Sequence, residues 1–483
     1  RKEWKFEGMV VSDYNGIDQL FNKHFVAKDE KDAAMIAFNT GVQYEFPVDN
    51  FYKHLPALLK EGKIHMADID RAVEMVLALK FELGLFENPY VDAEKAIAVS
   101  KAPEHRDLAL KSARESIVLL KNDGILPLKK GANKSIAVIG PCASDLYFGG
   151  YAGEPYSKTS LLEGIREKAG KETKVLFAQG CKLTENTSLS YFNWKYDDIV
   201  FASREENLKL IDEAVKVASQ AEVVILAIGE NEHLCREAWA KNHIGDNMTL
   251  DLFGEQNELA QAIIATGKPV IIYLTNGRPL TINNLIPQVP AIIEGWYMGQ
   301  ETGHAAADII FGDVNPSGKL TITVPKSVGQ LPMYYNHKPS AQFADYISQD
   351  VKPMFHFGYG LSYTEFKYGE PVLETEVIKT GETVNVAVEV TNTGSREGDE
   401  IVQMYVHDVV SSVTRPVKEL KGFTRVSLKP GEKKIVTFEI TPEKLAYHGV
   451  DMKFAVEPGE FEILTGSSSR DEDLKKAILK VKE

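Results

Sequence analysis

Residues 256–275 read QNELAQAIIATGKPVIIYLT, a helix over Gln256–Thr266 followed by an apolar strand over Pro269–Thr275. Upstream, Glu222–Gly229 (EVVILAIG) is another strand, and Leu208–Gln220 before it is a helix. The same alternation extends in both directions, with strands predicted at Ser135–Gly140 (SIAVIG), Val175–Ala178, Ala291–Trp296 and Leu320–Val324 and a helix at Gly303–Phe311. Six strands with interleaved helices predict a doubly wound α/β sheet over residues 135–330, with functional groups on loops at the carboxyl ends of strands.

The rhythm differs on either side. Towards the N-terminus, Gly8–Ser12 and Val42–Phe46 read as short strands, with helices at Lys31–Asn39, Phe51–Lys60 and Met66–Phe86. Two strand-helix units cannot cover both faces of a sheet, so residues 1–88 are expected to be the end of something larger. A polar connection follows, then an amphipathic helix over His105–Leu120, so residues 89–134 are a linker and connecting helix. Residues 331–370 are rich in Tyr, Pro, Gly and His with little periodicity, and form a connecting segment. After residue 371 only strands are read, at Val384–Thr391, Glu400–His407, Lys433–Ile440 and Gly459–Thr465, joined by NTG, KPGE and EPGE turns. That pattern predicts a β-sandwich of immunoglobulin or fibronectin type.

The chain has 483 residues, of which 44% are apolar, enough to fill several cores and to exclude a disordered chain. A formal net charge of −14 argues against a broad surface for nucleic acid or for an anionic membrane. No apolar run is long enough to span a bilayer. Cys142, Cys181 and Cys235 lie far apart, without CxxC spacing, and are expected to be buried free thiols.

Two places could carry chemistry. Asp13 ends the first strand, where a carboxylate would emerge onto the active rim of a barrel; a helix cap is the competing role. The long segment Gly229–Asp251 follows an apolar strand and gathers Glu230, Glu232, His233, Glu237, Trp239 and His243, although a solvated polar loop would look the same. Its His and Glu residues show no HExxH or comparable metal spacing, and FGGYAGEP at 148–155 does not match the dinucleotide fingerprint.

The strings GMVVSD, HRDLALKSARESIVLLKN, KSIAVIGP, TGKPVIIYLTNGRPL, FGDVNPSGKLTITVPKSVGQLPMYYNHKP and FHFGYGLSYTEF together resemble glycoside hydrolase family 3, in its multidomain bacterial β-glucosidase and β-xylosidase form. The resemblance covers essentially the whole chain. It implies an N-terminal (β/α)8 barrel, of which residues 1–88 match the last two units and closing helix, then an α/β sandwich and a fibronectin type III-like domain over residues 371–483. It implies Asp13 as nucleophile and Glu237 as acid/base, with Glu230 and Glu232 as nearby alternatives. Tyr14 stands where the family commonly has Trp or His, and Tyr14 and Trp239 could stack on sugar or simply pack.

By the same resemblance the first six barrel strands, with the Asp, Arg and Lys-His groups that hold the nonreducing-end sugar, lie outside this chain. The implied activity is retaining exo-β-glycosidase action on oligosaccharides or aryl glycosides, without metal or organic cofactor. The domain composition fits this better than the N-acetylglucosaminidase branch, whose acid/base is a barrel histidine. A periplasmic or secreted location is implied, and a homodimer is left open. The competing expectation is a noncatalytic, truncated carbohydrate-associated protein, and upstream sequence encoding six further strand-helix units would decide against it.

Overall fold

The computed structural model describes residues 3–47, 50–149, 151–153, 155–185, 198–238, 241, 243–339 and 345–483. They form two compact units, Arg1–Lys101 and Ala102–Glu483.

The first unit contains helices α1 (Gly16–Asn22), α2 (Glu30–Asn39), α3 (Leu55–Lys60), α4 (Met66–Glu82) and α5 (Ala93–Ser100). Asp29 caps α2 by accepting the Asp32 N–H, and Ala33, Ala34, Ala37 and Phe38 bury one face of that helix against Ile17, Leu58 and Ile64. The two strands read from sequence are reduced to one parallel bridge, Val11 to Tyr44, with Ser12 N–H on Tyr44 O at 2.9 Å and Gln43 N–H on Val10 O at 2.9 Å. The ladder does not extend because side chains take over its ends. Gln43 Oε1 accepts the Val10 N–H at 2.8 Å, and Ser12 Oγ accepts the Phe46 N–H at 2.9 Å.

The second unit begins with α6 (Pro103–Ser116) and β1 (Val118–Asn122), then β2 (Ser135–Ile139), α7 (Leu161–Ala169), β3 (Lys174–Ala178), α8 (Arg204–Ser219), β4 (Val223–Gly229), α9 (Glu232–Cys235), α10 (Gln256–Ile264), β5 (Val270–Thr275), β6 (Ala291–Glu294) and α11 (Thr302–Ile310). The six strands lie in the order β1-β6-β5-β4-β2-β3, all parallel except β1. Strand β4 shows why the sheet is covered twice. Val223, Ile225 and Ala227 enter the core shared with α6, α7 and α11, whereas Val224, Leu226 and Ile228 enter the core shared with α8 and α10.

Two expectations are corrected. The sixth strand is Val118–Asn122, not Leu320–Val324, and the helix expected to run to Leu120 ends at Ser116. Residues 117–120 are a continuous apolar run, which periodicity alone cannot distinguish from a buried helix end. Leu320 and Val324 instead bond to a neighbouring segment, with Leu320 N–H on Tyr359 O at 2.8 Å and Val324 N–H on Phe355 O at 2.9 Å.

Helices α7 and α11 meet at backbone distance, because a Cβ on Gly303 would stand 2.0 Å from Ser160 O and one on Gly164 2.0 Å from Gly303 O. Gly303→Ala is therefore expected to destabilise the second unit by about 1–3 kcal/mol, as overpacking does. The measurement is the urea midpoint, with Gly329→Ala, whose added methyl would meet Ser327 Oγ at an ordinary 3.6 Å, as the near-neutral comparison.

The C-terminal sandwich is built from β7 (Phe366–Tyr368), β8 (Val372–Leu373), β9 (Val377–Lys379), β10 (Val384–Asn392), β11 (Gly398–Asp408), β12 (Glu419–Leu428), β13 (Lys433–Ile440), α12 (Pro442–Leu445), β14 (Tyr447–His448), β15 (Phe454–Ala455), β16 (Gly459–Gly466) and β17 (Leu474–Lys482). One sheet runs β13-β10-β7 with β8 beside β10, and the other runs β12-β11-β16-β17-β9. Val386, Val388, Val402, Met404, Phe461 and Ile463 are among the side chains buried between them. The GYGLSY segment packs where the sandwich meets the α/β sheet: Gly358 O accepts from Gln403 of β11 at 3.1 Å, and Tyr363 Oη donates to Ile309 O of α11 at 2.9 Å.

Candidate active site

In the first unit Asp13 follows the bridged segment and is exposed. Its Oδ1 accepts the N–H of Tyr14 at 2.7 Å, and its carbonyl accepts the N–H of Gly16 at 2.9 Å. Helix α1 is preceded by Asn15 in the left-handed region (φ 53°), without a side-chain cap, so Asp13 is not the cap residue of that helix. The Tyr14 ring meets Phe46 edge-on, with centroids 4.9 Å apart. It remains 59% exposed.

In the second unit the loop after β4 starts from a tightly built base. Gly229 (φ 151°) lies so close to β5 that a Cβ there would stand 1.8 Å from Thr275 O. The buried amide of Gln256, at the start of α10, pairs with both backbone groups of Gly229, donating to its O and accepting from its N–H at 2.8 Å each. Both ends of the loop are thus fastened to the sheet.

The structure separates the three loop glutamates. Glu230 is fully buried and held by Arg278, whose Nη2 lies 2.6 Å from Oε1 and whose Nε lies 3.0 Å from Oε2. Burial raises the Glu230 carboxyl above its ordinary range, with Arg278 opposing the shift. Glu232 and His233 are buried on the one-turn helix α9. Glu237 lies beyond α9 and is exposed. His243 is buried, and Trp239 lies outside the described residues.

Around the loop base, Tyr297 Oη donates to Glu230 O at 3.2 Å and lies 3.1 Å from Cys235 Sγ. Burial raises both the phenol and the thiol. At the end of β6, Glu294 accepts the Trp296 N–H at 3.1 Å and an Asn276 amide proton at 3.3 Å, and burial pushes its carboxyl up to about 8. Cys142, Cys181 and Cys235 are free, the first two buried and the third half-buried. Among the described residues, no three His, Cys, Asp or Glu side chains converge so that they could hold a metal ion, and no helix is long and apolar enough to cross a membrane.

Arg278, Gln256 and Glu294 received no role from the sequence. Arg278 carried the clearest signal, a cation in the Asn-Gly-Arg-Pro turn after a strand, but its partner Glu230 is 48 positions away.

Comparison with known proteins agrees with this layout. Residues 1–79 match the glycosyl hydrolase family 3 N-terminal domain, residues 117–363 its C-terminal domain and residues 400–469 the fibronectin type III-like domain. A periplasmic β-glucosidase of Salmonella typhimurium is 40% identical over 97% of this chain and 63% of its own length. A β-xylosidase of Formosa agariphila is 40% identical over 100% of this chain and 66% of its own. The chain thus spans less than two thirds of either relative.

Among solved structures, a β-glucosidase from Erythrobacter marinus matches with a TM-score of 0.94 at 41% identity, covering all of this chain and 64% of that one. A β-glucosidase of intestinal bacteria involved in saponin metabolism matches with a TM-score of 0.90 at 34% identity, covering all of this chain and 68% of that one. With three successive domains matched in order and the fold shared along the whole chain, the protein belongs to glycoside hydrolase family 3.

Proposed function

We propose that the whole protein to which this chain belongs is a retaining exo-β-glycosidase that releases single β-linked glucose or xylose units from nonreducing ends, with Asp13 as nucleophile and Glu237 as acid/base. The observation that carries the assignment within the loop is the contrast among its glutamates. Glu230 is sealed against Arg278 and Glu232 is buried on α9, whereas Glu237 presents an exposed carboxyl. Relatives named β-glucosidase and β-xylosidase match 97% and 100% of the chain, which disfavours the noncatalytic alternative.

The chemistry assigns one task to each carboxyl. A retaining enzyme requires the two groups about 5–5.5 Å apart. The Asp13 carboxylate attacks the anomeric carbon while protonated Glu237 gives its proton to the departing glycosidic oxygen. Once the glycosyl ester forms, Glu237, left ionised by giving up its proton, takes a proton from water as it attacks the same carbon from the face opposite the ester. Hydrolysis restores both groups. No redox or metal chemistry enters this reading.

The substrate is an oligosaccharide or aryl glycoside, and the periplasmic relative supports a periplasmic or secreted location. NMR of the first product formed from an aryl β-glucoside by the full-length enzyme is expected to show the β anomer before mutarotation. An α anomer at the earliest times would exclude double displacement.

A further inference from the structure

The loop that carries Glu237 leaves the sheet after Gly229 and ends near Asp251, which bridges to Thr281 in the connection after β5. One side chain from a different strand connection touches both arms. Arg278 follows β5 and is only 15% exposed. With Nε and Nη2 it grips the Glu230 carboxylate on the outgoing arm, and with Nη1 it donates to the carbonyls of Asn247 at 3.2 Å and Thr249 at 2.8 Å on the returning arm.

The returning arm continues along the same connection, with Thr281 N–H on Leu250 O at 2.7 Å and Thr281 Oγ1 on Asp251 Oδ1 at 2.6 Å. The two arms also touch each other beside Glu237. Arg236 Nε donates to Ile244 O at 3.0 Å, and Gly245 is so close that a Cβ on it would stand 2.4 Å from Arg236 O. An unbroken series of contacts therefore leads from Arg278 through residues 247 and 249 to Gly245, across to Arg236, and so to the residue next in the chain, Glu237.

We infer that Arg278 is a positioning residue for the acid/base step: by holding both arms of the 230–249 loop at once, it fixes where the Glu237 carboxyl stands relative to the leaving-group oxygen. This inference rests on the assignment of Glu237 in the preceding section. It uses the geometry of a guanidinium, whose donors lie in a plane and point in separate directions, so one head can serve a carboxylate and two carbonyls together. A lysine ammonium could keep the charge against Glu230 but offers its three donors from a single point. Arg278→Lys thus retains compensation for the buried carboxylate while loosening the returning arm.

The experiment is a leaving-group series of aryl β-glucosides plus cellobiose, run on the full-length enzyme and on Arg278→Lys and Glu237→Ala. Thermal unfolding of each variant checks folding. Misplacing the acid weakens protonation, which matters in proportion to the basicity of the leaving oxygen. Arg278→Lys is expected to lower kcat on cellobiose by about 10- to 100-fold, the scale of an ångström-sized misplacement. The rate of glycosylation by the dinitrophenyl glucoside should change by no more than about twofold, because this leaving group needs little protonation. The dependence of rate on leaving-group pKa should therefore steepen, as it does more strongly in Glu237→Ala.

A role in folding alone would reduce the active fraction and lower all substrates by the same factor. That parallel drop, or an unchanged series, would overturn the inference while a steepened Glu237→Ala series left the Glu237 assignment standing. If Glu237→Ala itself keeps the native slope, the assignment falls and the inference with it. If Arg278→Lys does not fold, Glu230→Gln carries the same test, since it keeps an acceptor for Arg278 but removes the charge. A steeper slope is expected there too, and a native slope would overturn the inference.

Discussion

Asp13→Ala in the full-length enzyme should abolish hydrolysis of both cellobiose and an activated dinitrophenyl β-glucoside, by a factor on the order of 10⁴ to 10⁶ as when a nucleophile is removed from other covalent mechanisms. The two substrates fail together because leaving-group quality does not replace the atom that forms the bond. The fold should be little affected. Asp13 is exposed, and its side chain accepts the N–H of the following residue, a local bond worth about 1 kcal/mol at most in such a setting. Activity loss with an unchanged melting curve is the expected pair of results. A variant that kept more than about a hundredth of native activity on the dinitrophenyl substrate would not have lost its nucleophile, and the role of Asp13 would have to be withdrawn.

Glu237→Ala should instead divide the substrates. Cellobiose hydrolysis is expected to fall by about 10²- to 10⁴-fold, the usual worth of a general acid, whereas glycosylation by the dinitrophenyl glucoside should survive. Deglycosylation then limits turnover because water has lost its base, so added azide should restore the rate and yield the β-glycosyl azide. Glu230→Ala should behave differently. It leaves the Arg278 guanidinium largely buried without its carboxylate, a change that costs about 3–5 kcal/mol in comparable pairs, so its signature is a lowered melting temperature. Azide rescue in Glu230→Ala or Glu232→Ala, with Glu237→Ala active on cellobiose, would move the acid/base role to another residue of the same loop.

Much of this architecture was legible because the periodicities are strong. The β4-α10-β5 unit alternates where the sequence says it should, and the outer β-domain is marked by its Gly-containing turns. Where the reading missed, the cause is physical. Strand β1 is buried at three successive residues, Val118–Leu120, and half-buried at the last two, so it lacks the alternation that identifies a half-exposed strand. Strands β12 and β17 escape the sequence pattern because the charged residues of KELKGFTRVSL and DLKKAILKVK dilute the apolar signal; both nonetheless pair along most of their length in the second sheet, β12 with a bulge at Lys421.

The long loop itself was also legible, since a polar insertion after an apolar strand is visible in one dimension. The state of each glutamate was not. Glu230 is held by Arg278, which is distant in sequence and reaches it only when β4 and β5 lie side by side. Sequence patterns report which face of an element is apolar. They do not report which buried charge has found a partner.

The order β1-β6-β5-β4-β2-β3 also has a consequence for synthesis on the ribosome. The first strand of this sheet to emerge pairs with the last, since Val118–Asn122 lies against Ala291–Glu294. Strands β2 to β5 can assemble among themselves as they appear, but β1 has no ladder to join until β6 has left the exit tunnel. Its apolar run must wait through the synthesis of everything between, exposed to other strand edges. A pause in translation before residue 291 would therefore hold the sheet open along one side, and the same pause a few dozen codons later would find that side already closed.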